Sequence, residues 1–145
     1  MGFFKSMDVS ASALTAQSFR MDVIAQNVAN ATTTRTENGD PYRRRSVVFA
    51  EREASFADTL SAVQGGADAG GGVTVSETVE DQTPFELVYD PTHADADENG
   101  YVRMPNVDVA REYVDMISAT RSYEANITVM NATKRMALKA LEIGK

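Results

Sequence analysis

Apolar and polar positions alternate along this chain with helical spacing at both ends and with a shorter period between them. From the start, Met7, Ala11, Leu14, Ser18, Met21, Ala25 and Val28 recur at alternating steps of four and three, and all but Ser18 are apolar. Val9, Phe19 and Ile24 fall beside or off that line, so the stripe is wider than a two-stranded coil requires. The pattern predicts a helix over roughly residues 6–30. The far end repeats it at greater length through Val109, Tyr113, Met116, Thr120, Tyr123, Ile127, Met130, Lys134, Ala137 and Leu141, with Val114, Ile117 and Leu138 alongside. Asn106 or Asp108, after Pro105, offers an N-cap, and Gly144 a C-terminal stop. At about 1.5 Å per residue, this second helix is on the order of 50 Å long.

Residues 31–105 change character. Asn38-Gly39, Asn99-Gly100 and the GDPY stretch are turn signals. SVVFAE, GVTVSETV and PFELVYD alternate β-branched or aromatic residues with polar ones and read as short strands. GGADAGGG at 65–72 reads as a flexible loop. The fold class expected is therefore mainly α with a small β-rich insert. Residues 1–35 carry the N-terminal helix of an assembly domain, 36–105 the insert, and 106–145 the long C-terminal helix. The two helices pair as a coiled-coil-like α domain that forms fully on assembly.

That last expectation comes from composition. Ser6, Ser10, Ser12, Thr15, Ser18, Asn27 and Asn30 crowd the first helix; Ser118, Thr120, Ser122, Asn126, Thr128, Asn131 and Thr133 crowd the second. Each is weaker than Ala in a helix by up to about 0.7 kcal/mol, so the helices need packing to form stably. A pair buries one side of each, and the stripes are wider than one seam, so the excess face points to further protein. A compact domain with both helices packed on the insert is the alternative.

The net charge of −7 is unevenly spread: residues 1–45 hold six basic and four acidic side chains, 46–105 two and twelve, and 106–145 six and five. Only Arg43-Arg44-Arg45 gathers basic residues, so nucleic acid is not an expected partner. That triplet reads as a strand entry or a partner for a neighbouring subunit's acidic insert. With no cysteine and one histidine, His93, neither a thiolate metal site nor a nucleophilic triad is available, and no Gly-rich phosphate loop is present. No enzymatic activity and no cofactor are expected. Asp95-Ala96-Asp97-Glu98-Asn99-Gly100 matches part of a calcium loop, but position twelve is Asn106 where a bidentate Glu is needed. A calcium-binding regulatory module using Asp95 to Gly100 is the alternative from another class. No run reaches the roughly 18 apolar residues of a membrane span, and the opening MGFFKSMDVSAS lacks a secretory signal's apolar core, so direct lipid binding is not expected and export needs another route.

Several stretches carry a resemblance. Gln26-Asn27-Val28-Ala29-Asn30-Ala31-Thr32-Thr33 is similar to the Asn-X-Ala-Asn motif that closes the N-terminal helix of bacterial flagellar basal-body rod and hook proteins. Gly39-Asp40-Pro41-Tyr42-Arg43-Arg44, Leu87-Val88-Tyr89-Asp90-Pro91, Asn99-Gly100-Tyr101-Val102 and Met104-Pro105-Asn106-Val107-Asp108-Val109 match the proximal-rod branch of that family. So do Asp115-Met116-Ile117-Ser118-Ala119, Arg121-Ser122-Tyr123-Glu124-Ala125-Asn126 and Lys139-Ala140-Leu141-Glu142-Ile143-Gly144, leaving about residues 52–82 unmatched. The resemblance implies a structural subunit of the proximal rod, a drive shaft that carries torque from motor to hook and surrounds an export channel, with another flagellar rod or hook subunit as the alternative within that class. It implies a rod crossing the periplasm, with the subunit leaving through the flagellar type III export apparatus without a cleaved signal. Implied partners are other rod proteins, copies of itself, the membrane-ring base and that apparatus. The expected subunit-interface residues are Met7, Ala11, Leu14, Met21, Ile24, Ala25, Asn27, Val28 and Asn30 at the N-terminal end, and Val109, Tyr113, Met116, Tyr123, Ile127, Met130, Leu138 and Leu141 at the C-terminal end.

Overall fold

The computed structural model describes residues 3–53, 59–60, 63–64 and 71–143. In chain order its elements are α1 (Phe3–Ala29), β1 (Arg45–Glu51), β2 (Val73–Glu80), β3 (Glu86–Tyr89), β4 (Tyr101–Met104) and α2 (Val109–Ile143). The protein is mainly α with a small antiparallel β portion, in which β1 pairs with β2 and β3 with β4. The helices and three of the strands lie where the periodicity put them. The fourth strand, YVRM, is too short and too charged to stand out in sequence. Of the expected Gly-rich loop, residues 65–70 lie outside the described residues, as does the expected stop at Gly144.

The chain divides into two compact units, one comprising Met1–Phe19, Val48–Glu77 and Ala119–Lys145, the other Arg20–Val47 and Thr78–Ser118. In the first unit, α1 meets the entry to β2 at close range. The Ser12 hydroxyl donates to the Val9 carbonyl at 2.7 Å and accepts the Val73 N–H at 3.0 Å. A Cβ built on Gly72 would lie 2.7 Å from the Ser12 Oγ, so the end of the Gly-rich run is glycine because the backbone must approach α1. Arg52 completes the junction: its N–H donates to the Gly72 carbonyl at 3.1 Å and its guanidinium pairs with Asp8.

In the second unit, the Asp108 carboxylate caps α2 by accepting the Ala110 and Arg111 N–H groups at 2.9 and 3.3 Å. β3 and β4 pair in the register Glu86 to Met104, Leu87 to Arg103, Val88 to Val102 and Tyr89 to Tyr101. Val102 is buried, whereas β3 is exposed along its length. Residues 90–100 return the chain: the Asp90 N–H donates to the Gly100 carbonyl at 2.9 Å, and Asp97 Oδ1 accepts the Asn99 and Tyr101 N–H groups, both at 2.9 Å. Gly100 has φ +80° and would place a Cβ 3.0 Å from the Tyr89 ring, which itself packs edge-on against Tyr101.

The buried apolar residues among those described are few and mostly small: Ala16, Val23, Ile24, Tyr42, Val102 and Ala119. Along α2 the buried and half-buried positions include Glu112, Met116, Ala119, Tyr123, Asn126, Met130, Thr133 and Ala137, again at steps of four and three, with Asp115, Ser122 and Ala132 half-buried beside them. Many of the helices' polar side chains bond within the helix. Thr15, Asn126, Thr128 and Thr133 donate to the carbonyl four residues earlier at 3.2, 2.8, 2.9 and 2.9 Å.

Gly100→Ala combines left-handed backbone strain with contact against Tyr89. It should cost about 2 kcal/mol, a drop in thermal midpoint of several degrees by circular dichroism; an unchanged midpoint would contradict the turn described here.

Candidate functional site

The second unit is organised around a buried amide. Asn27, in the last turns of α1, has no exposed surface. Its Nδ2 donates to the Arg45 carbonyl at 2.8 Å and to Glu112 Oε2 at 2.9 Å; its Oδ1 accepts the Tyr42 hydroxyl and the Arg45 N–H, both at 2.9 Å. Two donors and two lone pairs are the whole capacity of the side chain, so Asn27 is saturated. It closes α1, fixes the start of β1 and holds the first turn of α2.

Glu112 is equally buried, and an unpaired carboxylate there would be costly. Arg44 supplies the counter-charge, its Nε donating to Glu112 Oε1 at 2.7 Å, with its side chain only 18% exposed. The same guanidinium reaches Asp115 at 3.4 Å, and Arg20 of α1 lies 3.5 Å from that carboxylate's other oxygen. The main chain at Arg44 is held as well. Its N–H donates to Asn106 Oδ1 at 2.8 Å, and Asn106 Nδ2 donates to the Asp81 and Thr83 carbonyls at 3.0 and 3.2 Å. Arg43 stacks over the Phe85 ring at 4.4 Å, and Arg45 pairs with Glu80 at 3.3 Å. The basic triplet thus makes contacts within the chain at all three positions, as its reading as a strand entry expects.

The expected interface residues fall into three groups. Ile24 and Asn27 are buried inside the chain; Met7, Leu14, Met21, Val28, Asn30, Met116, Tyr123 and Met130 are half-buried; Ala11, Ala25, Val109, Tyr113, Ile127, Leu138 and Leu141 are exposed. Along α2 the inward stripe takes Glu112, Ala119, Asn126 and Thr133 where the apolar count pointed to Tyr113, Thr120, Ile127 and Lys134. Bulky apolar side chains therefore line the outer side, with Tyr113, Ile117, Leu138 and Leu141 exposed by 57, 55, 53 and 72%. Glu112 was not singled out from sequence, while Tyr42, Arg44 and Asn106 stood out there only in other roles, as motif, basic-triplet and N-cap residues. The signal that could have found Glu112 is an acid placed in the four-three register with Met116 and Tyr123.

The residues of the calcium alternative are engaged in turn and surface contacts. Asp95 accepts the Thr34 hydroxyl at 2.8 Å and lies 3.8 Å from the Arg35 guanidinium, while Asp97 serves the turn. His93 Nδ1 accepts the Asp95 N–H at 3.1 Å, a turn contact. Among the described residues, no group of three or more His, Cys, Asp or Glu is placed to hold a metal ion, and no helix is long and apolar enough to cross a membrane.

Both ends of the chain carry flagellar signatures. Residues 7–35 match the family described as flagella basal body rod protein, and residues 98–143 match the C-terminal region of the flagellar basal body rod FlgEFG proteins. The hub joins these two matched segments through Asn27 and Glu112. The flagellar basal-body rod protein FlgC of Bacillus subtilis is 55% identical, with 100% of both chains covered. FlgC of Escherichia coli O157:H7 is 45% identical over 100% of both, and that of Aquifex aeolicus 37% identical over 100% of this chain and 99% of its own. The chain belongs to the FlgC family of flagellar basal-body rod proteins. It is accordingly a structural rod subunit of the flagellar basal body.

Asn27→Ala would leave the Tyr42 hydroxyl, the Arg45 backbone and one Glu112 oxygen without partners, and should cost about 3 kcal/mol in chemical denaturation. Loss of less than about 1 kcal/mol would show that the hub is not a main source of stability. A second test uses Tyr42, whose pKa is raised above its ordinary value of 10.0, chiefly by burial, with Arg45 opposing and Glu112 and Glu80 adding to the rise. The unfolded phenol ionises first as pH rises, so the stability Tyr42 contributes is fully present below its ordinary pKa and is lost as pH climbs through the raised one. Tyr42→Phe should therefore flatten the alkaline fall of the thermal midpoint above about pH 10, while lowering that midpoint at neutral pH.

Proposed function

We propose that this chain builds the proximal part of the rod and does so through the outer faces of its two helices. The observation that carries the reading is the distribution of bulk on α2: its buried positions are Glu112, Ala119 and Thr133, with Met116, Tyr123 and Met130 half-buried, while Tyr113, Ile117, Ile127, Leu138 and Leu141 are exposed. A helix this long that turns its large apolar side chains to solvent is built to be covered. Few apolar residues are buried among those described, which favours a subunit completed by its neighbours over an independent globule.

On this reading residues 1–35 and 106–145 form the assembly domain, and 36–105 the insert carried on it. Neighbouring rod proteins and further copies of the chain interlock along the helices, forming a shaft that transmits torque to the hook and encloses the export channel. Torque passes through many small contacts, and no residue performs chemistry. The subunit reaches a rod that crosses the periplasm through the flagellar type III apparatus and stacks on the membrane-ring base. Ala11, Ala25, Val109, Tyr113, Ile127, Leu138 and Leu141 are the exposed members of the interface set, with Met7, Leu14, Met21, Val28, Asn30, Met116, Tyr123 and Met130 at its margin. Ile24 and Asn27 serve it from inside, by fixing the helix that presents the others.

Ile127, 38% exposed, gives a direct test. Ile127→Asp should leave expression and helicity of the isolated subunit intact but abolish motility, because burying the new carboxylate in an apolar seam costs several kcal/mol. Motile cells carrying this variant would overturn the seam.

A further inference from the structure

We propose that copies of this chain associate head to tail, with the cationic outer face of α2's last turns in one copy docked on the acidic second unit of the next, along Asp22, Ala25 and Ala29 of α1. The inference rests on the rod-subunit reading above and names the contact by which one copy meets another.

The donor face belongs to the first unit. Exposed Ile127, Lys134, Leu138 and Leu141 follow one another on one side of α2, and Thr128, Asn131, Lys134, Arg135 and Leu138 line a shallow hollow of about 500 Å³. From Ala119 to Ile143 the chain has four basic and two acidic residues, a net of +2, and one of those acids, Glu142, is already bonded to Lys139 at 2.7 Å. Arg121, Lys134 and Arg135 have no ion pair among the described residues.

The receiving face belongs to the second unit, whose residues number seven basic and thirteen acidic, a net of −6. Most of its cations are taken by the hub and by Asp40, Glu80 and Asp95, whereas exposed Asp22, Glu86 and Glu98 have no ion pair among the described residues. Asp22, Ala25 and Ala29 fall at steps of three and four on the exposed side of α1, beside exposed Gln26. Their small side chains let a second helix approach closely, so the bulky Ile127 and Leu138 find room where α1 offers none of its own bulk, and Lys134 finds a carboxylate at Asp22. Donor and receiver are different surfaces, so the contact is heterologous. Such contacts do not close in pairs but propagate into rings or helical filaments.

The chain has no cysteine, which makes engineered cross-linking unambiguous. Ala25→Cys and Leu138→Cys are introduced together in flagellated cells, oxidised mildly, and the protein is followed in isolated basal bodies on non-reducing gels. A ladder of linked multimers, absent from either single variant, is the expected result. A dimer in a single variant would mean like-on-like contact and would overturn the proposal. Subunits present in basal bodies without any ladder would overturn the docking face while leaving the rod reading standing; absence from basal bodies altogether would overturn both. An independent charge test uses Lys134→Glu with Arg135→Glu, which should eliminate swimming, and Asp22→Lys, which should restore it. Full swimming in the first variant, or no restoration by the second change, would overturn the pairing.

Discussion

A buried carboxamide with four partners sets the terms for much of this structure. Asn27 can be placed where it is only if β1 starts at Arg45, Tyr42 turns inward and α2 begins close enough for Glu112 to accept its second N–H. Burying Glu112 then requires Arg44, and holding Arg44 in place occupies Asn106 and, through it, residues 81 and 83. Each step follows from the cost of leaving a polar group dry and unpaired. The net stabilisation from such a network is modest, but its geometric demands are strict. It fixes which turn of α1 meets which turn of α2 far more tightly than alanine contacts would.

The apolar residues are arranged to a different end. Inside, Ala16, Ala119, Ser10 and Thr133 occupy buried helix positions, and small side chains there allow close approach but remove little surface from water. Outside, α2 shows Tyr113, Val114, Ile117, Val129, Met136 and Leu138, each more than half exposed. Polar bonds thus specify much of the fold of the single chain, while much of the apolar surface of α2 stays exposed on it. The back-bonded threonines and asparagines fit this division, since a side chain that satisfies itself on its own helix asks little of a neighbour.

The existence and length of both helices could be read from periodicity, because a four-three recurrence sustained over many turns has no competing explanation. Their phase could not. Counting apolar residues marks faces that need cover without saying whether the chain's own interior or another surface supplies it, and at Tyr113, Ile127 and Leu141 the bulk faces out. β4 escaped notice because four residues, one of them Arg103, carry too little alternation, and its strand character comes from pairing with β3. The hub was visible only in part. The motif around Asn27 and Asn30 stood out, but composition gives no reason to place Glu112 beside Asn27, since that contact joins positions 85 residues apart.

That separation bears on when the chain can fold. The amide near the N-terminal end has its full set of partners only after Tyr42, Arg45 and finally residue 112 have arrived, so a chain ending short of that residue cannot complete the network. A chain whose last helix has not yet joined lacks the buried pair of Asn27 and Glu112, and with it part of the network that fixes α1 against β1 and α2.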